Sequence, residues 1–107
     1  IEMRLNKFRS YNENDICFYY FVNGGYFGEK VETAHRWCFN WENADQFTGL
    51  HDKNGKEIYE GDIVTWFDRK DQIWEVKWEN IFSFSSWYPV DKCIVIGNIH
   101  ENPELMK

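Results

Sequence analysis

Metal ligation is the first chemistry to test in this chain, because His35-x-x-Cys38 brings two ligand-type side chains close together. The other candidates, Cys17, His51, Cys93 and His100, are scattered singly along the sequence. A structural zinc site needs about four converging ligands, usually arriving as recognisable pairs. One pair in a segment that reads as extended does not supply that set, so no metal is expected. Glu57, Glu60 and Asp62 form a carboxylate cluster beside a turn. Acid–base work requires two carboxyls in different environments, one with a raised pKa, and a glycosidase needs a sugar cleft as well. A small β domain seldom offers that cleft. Asp62 is better explained as a turn anchor accepting backbone N–H groups, with the glutamates solvated. The cluster stays as the weaker, enzymatic alternative.

Nucleophilic catalysis has no constellation here. Cys17 and Cys93 lie in apolar runs, where a thiol stays inert. Ser83, Ser85 and Ser86 lack the strand–elbow–helix context of an activated serine. Gly24-Gly25-Tyr26-Phe27-Gly28 is not followed by the Lys-Ser/Thr of a phosphate loop. The expectation is a protein with no catalytic residues and no cofactor.

The aromatic residues leave two binding functions to weigh. Trp66, Trp74, Trp78 and Trp87, flanked by Arg69, Lys70, Lys77 and Lys92, have the residue types of a single-strand stacking platform. Two observations oppose it. Trp74, Val76 and Trp78 alternate with charged residues and so point to one face, the pattern of a core. The net charge is −6, whereas a phosphate-backbone binder needs clustered Lys and Arg. Nucleic acid is therefore the second choice. Aromatics make up 20% of the chain, with nine Phe, six Tyr and six Trp. A small core cannot hold every ring, and Trp and Tyr are enriched at protein interfaces. Protein binding or self-association is the leading expectation, with Trp37, Trp41, Tyr59 and Trp87 as candidate exposed contacts. An open strand edge offers a second route to a protein partner.

These side chains must be positioned by strands. Apolar positions are β-branched or aromatic far more often than Leu or Ala. Strands are expected at about 3–10, 16–22, 26–27, 37–41, 62–67, 72–79, 81–88 and 93–99. A helical turn is expected at 42–46 and a terminal turn after Asn102-Pro103. Asp52-Lys53-Asn54-Gly55 and Gly61-Asp62 are turn sequences, with Gly55 and Gly61 suited to positive φ. Short strands at this spacing predict an all-β domain, a small SH3-like or pseudo-barrel with additional N-terminal strands.

The central run from Gln46 to Val64, which contains Thr48-Gly49-Leu50 and Asp52-Lys53-Asn54-Gly55-Lys56-Glu57-Ile58-Tyr59-Glu60-Gly61-Asp62-Ile63-Val64, resembles the signature of the YopX-type phage protein family. Lys7-Phe8-Arg9-Ser10-Tyr11-Asn12 is similar to the family's opening pattern, and Val95-Ile96-Gly97-Asn98-Ile99-His100-Glu101-Asn102-Pro103-Glu104-Leu105 to its closing one. His51 stands where the family often has Lys, His100 where it often has an aromatic, and Ser10-Tyr11 where it has a small-aromatic pair. The resemblance implies a phage or prophage accessory protein. It implies no established activity and so carries over no catalytic residue.

The length of 107 residues predicts one domain across the whole chain. Three cysteines with no CxxC pair argue against a disulfide framework and for reduced thiols in the host bacterial cytoplasm. No run is apolar enough to be read as a membrane span, and no signal peptide is evident.

Overall fold

The computed structural model describes residues 7–22, 25–28, 38–84 and 88–106. The fold is all-β. It comprises β1 (Lys7–Asn12), β2 (Cys17–Val22), β3 (Gly25–Gly28), β4 (Asp45–His51), β5 (Glu57–Tyr59), β6 (Asp62–Trp66), β7 (Arg69–Glu75) and β8 (Cys93–Asn98). One sheet has the order β3-β2-β1-β4-β5 and the other β7-β6-β8, and among the described residues neither closes into a barrel. The expected barrel is thus replaced by two open antiparallel sheets. The chain groups into two compact units, Ile1–Phe47 and Thr48–Lys107, with the boundary inside β4. A hydrophobic cluster lies in each unit.

In the first unit, β1 and β2 form a hairpin from Lys7↔Val22 to Asn12↔Cys17. Its loop is closed by Asn12, whose Oδ1 accepts the amides of Asn14 and Asp15, both at 3.0 Å. The last loop residue, Ile16, has φ 55 and is exposed. Such a conformation is costly for a β-branched side chain. β3 extends the pairing of β2, and β4 pairs with β1 at Phe8↔Gln46 and Arg9↔Asp45. Arg9 and Asp45 are both buried, form an ion pair at 3.3 Å, and the guanidinium lies 4.4 Å from the Phe18 ring centroid. Cys17, Tyr19 and Phe39 make the core of this unit, with Phe8, Phe21 and Tyr26 packed on it.

The second unit is built on Ile58, Val64, Trp66, Val76 and Cys93. β6 is its central strand, paired with β7 through Ile63↔Glu75 and with β8 through Trp66↔Cys93. Gly61 has φ 84, donates its amide to Val76 O at 2.8 Å and accepts the Ile99 amide at 2.9 Å. That turn therefore fastens the start of β6 to the ends of its neighbours.

Among the described residues of two expected strands, 37–41 and 81–88, none is in a strand. Cys38–Asn40 are not in a strand, and Trp41–Asn43 form a 3-10 turn capped by the Asn40 side chain, which accepts the Glu42 amide at 3.0 Å. Trp78–Ser83 is a second 3-10 segment, in place of the strand expected from 81 onward. Asn80 marks the end of β7. Its Nδ2 donates to Glu75 O at 2.8 Å and its Oδ1 accepts the Lys77 amide at 2.9 Å, so a side chain takes the backbone partners that would extend β7. The β7 strand accordingly ends at Glu75, short of the expected 79. No helix among the described residues is long and apolar enough to cross a membrane.

Candidate functional site

The turn after β4 is organised by Asp52, which is 6% exposed. Its Oδ1 accepts the amides of Asn54 and Lys56, both at 2.9 Å, and its Oδ2 accepts the Val95 amide at 3.0 Å. The Lys53 amide donates to Cys93 O at 2.8 Å. Gly55 supplies the positive φ of 80 that lets the turn double back. β8 is an edge strand, and the turn satisfies backbone groups on its free side, as a covering loop does. Lys53 is thereby held beside the start of β8.

A second element reaches the same place. The β6–β7 hairpin closes at Trp66↔Arg69, leaving Phe67-Asp68 as a two-residue turn. Neither residue has positive φ, so this is not the Asn-Gly type of hairpin turn. The pairing slips next to it: Thr65 faces Ile73 while Trp66 faces Arg69, and Lys70-Asp71-Gln72 bulge from β7. Because Trp66 also faces Cys93, antiparallel register sets Phe67 at the same sheet end as Lys92.

The outcome is a phenyl ring that is 69% exposed and flanked by two ammonium groups. Lys53 Nζ lies 5.6 Å and Lys70 Nζ 5.3 Å from the Phe67 centroid. Lys53, Phe67, Asp68 and Lys92 line a cavity of about 310 Å3. At exposed sites each ammonium–ring attraction is worth about 0.5–1 kcal/mol, enough to orient the lysines without locking them. The arrangement offers an apolar surface with several N–H donors around it.

The residues expected from the sequence fall differently. Trp41 is 49% exposed, with its ring against Phe8, Phe21 and Phe39 at 5.1, 5.1 and 4.8 Å. Tyr59 is not exposed: it is 3% accessible, its amide donates to Asp62 Oδ2 at 2.8 Å and its hydroxyl to Glu57 Oε1 at 3.2 Å. Ile58 and Tyr59 are consecutive and both buried, so β5 is covered on both faces and alternation fails as a guide there. Trp37 and Trp87 lie outside the described residues. Trp66 is 1% exposed, edge-on to Trp74 at 4.7 Å, with its Nε1 donating to Pro89 O. Trp74 and Trp78 are half-buried and pack against the same core.

The remaining polar candidates are occupied with structure. Asp62 is 1% exposed and anchors its turn through Tyr59. Asn54 is exposed at the turn tip. The Cys93 thiol is pushed up to about 12, first by burial and then by Asp52, Asp91 and Asp62, which keeps it protonated and unreactive. The Tyr19 hydroxyl donates to Asp15 Oδ2 at 2.6 Å, and this bond, with burial, raises its pKa. His35 lies outside the described residues, and among those described no three His, Cys, Asp or Glu side chains converge as metal ligands would.

Phe67 and Lys53 escaped the sequence reading. The available signal was an aromatic at the apex of a charged turn, where polar residues and glycine prevail. No curated protein matches this chain. The family model described as YopX protein matches residues 3–107, nearly the full length, and the chain belongs to that family.

Proposed function

We propose that the protein is a phage or prophage accessory factor that acts in the host bacterial cytoplasm as a non-enzymatic, protein-binding module. Family membership supports the phage-type setting. Phe67 carries the binding reading: a large apolar side chain, 69% exposed, displayed at a hairpin apex in which neighbouring Trp66 is fully packed. Burying such a ring is worth about 1.5–3 kcal/mol to a partner, the scale of an interface anchor. Trp41 offers a second exposed ring in the first unit.

The test is a tagged pull-down from host lysate, with and without nuclease, comparing wild type with Phe67→Ala. A specific protein retained after nuclease and released by the substitution is the expected result. Retention only in the absence of nuclease would replace this reading with single-stranded nucleic-acid binding. That second reading is favoured by one observation, the lysines around Phe67, since stacking platforms combine a ring with cations.

A further inference from the structure

We infer that the Phe67 site recognises an acidic protein segment, one that presents carboxylates together with an apolar or aromatic side chain. This inference rests on the protein-binding reading and names the class of partner. Two lysines, Lys53 and Lys70, flank one ring, and a third from another stretch, Lys92, lines the cavity beside it, in a protein whose net charge is −6. The local cationic character is therefore opposite to that of the whole. Their placement is built by the fold. Lys53 is tied by its amide to Cys93, Lys92 directly precedes that residue, and Lys70 sits in the bulge that follows the Phe67 turn.

The chemistry discriminates between anions. An exposed ring with ammonium groups around it suits a ligand that is apolar at its centre and carboxylate-bearing at its edge. Asp68, also in the lining, repels any anion placed against it, so only a ligand with few, localised charges can keep them at the lysines. A long polyanion would further meet the field of the acidic remainder, which extends about 10 Å at moderate salt. A short segment engages the local lysines alone. A cavity of about 310 Å3 is at the lower end of the range for small-ligand sites and accepts a few side chains, not a folded domain.

The experiment is selection of a displayed random peptide library on the wild-type chain, counter-selected on Phe67→Ala. Phe67 is exposed, so this variant retains the core. Enriched peptides are expected to combine Asp or Glu with an aromatic or large aliphatic residue. Their affinity is expected to fall about tenfold or more in Phe67→Ala and in the double variant Lys53→Gln, Lys92→Gln, and to weaken with salt. Enrichment of neutral or basic peptides that still depend on Phe67 would overturn the acidic partner and leave the protein-binding module standing. Failure to enrich any Phe67-dependent peptide, with saturable binding of an oligothymidylate instead, would overturn both.

Discussion

Removing the Asp52 carboxylate tests the central turn most directly. The side chain accepts three backbone amides, at 2.9, 2.9 and 3.0 Å. The amides of Asn54 and Lys56 belong to exposed residues and regain water when the acceptor is lost. That of Val95 is in a half-buried part of β8 and has no such replacement. An unsatisfied buried donor costs about 1–3 kcal/mol, and each bond to a charged acceptor that water does not fully replace adds to it. Asp52→Ala is therefore expected to destabilise by about 2–4 kcal/mol, lowering Tm by about 10–20 °C. Asp52→Asn keeps the shape but presents an NH2 to one of the donors, so it recovers only part of the loss. Urea denaturation with an unchanged slope would give the free energy, and hydrogen exchange at Val95 would locate it. If both variants stay within about 0.5 kcal/mol of wild type, the carboxylate is not what holds the turn to β8.

Two further substitutions probe the fold. Ile16 has φ 55 and is 70% exposed, so Ile16→Asn or Ile16→Gly relieves left-handed strain while losing little burial. The strain is about 1–2 kcal/mol and the entropy lost by glycine about 0.5–1 kcal/mol, so a net gain of about 0.5–1 kcal/mol in thermal unfolding is expected. Cys93 has a pKa raised from 9.0 to about 12, so its contribution to stability is complete below pH 9 and disappears as pH rises toward 12. A shallower alkaline decline in Cys93→Val than in wild type would confirm that window. Native-state thiol labelling should reach the half-buried Cys38 before Cys93.

The all-β class, the turns at Gly55 and Gly61 and the family were legible in the residues. Runs such as Cys17–Val22 and Asp62–Trp66 are rich in β-branched and aromatic side chains, and both are strands. Gly55 and Gly61 have positive φ because a turn there leaves no other residue type unstrained. These are local preferences, set by a few neighbouring torsions, and a sequence carries them without help. β7 stops at Glu75, short of the expected 79, where Asn80 hydrogen-bonds back to Glu75 and Lys77, an alternative that periodicity does not register.

Exposure of the rings was decided only in three dimensions. Tyr59 is buried and Phe67 is not, although both are aromatics beside a turn. What separates them is their place in the sheets: Tyr59 lies within β5, whereas Phe67 stands at the apex of the β6–β7 hairpin. The same holds for the lysines at Phe67. Residues 53, 70 and 92 share no motif: Lys53 and Lys92 line one cavity where the Lys53 amide bonds to Cys93 O, and Lys70 reaches Phe67 from the bulge of their shared hairpin. Local torsions make strands and turns, whereas the convergence of a site depends on register between strands, which only the packed structure selects.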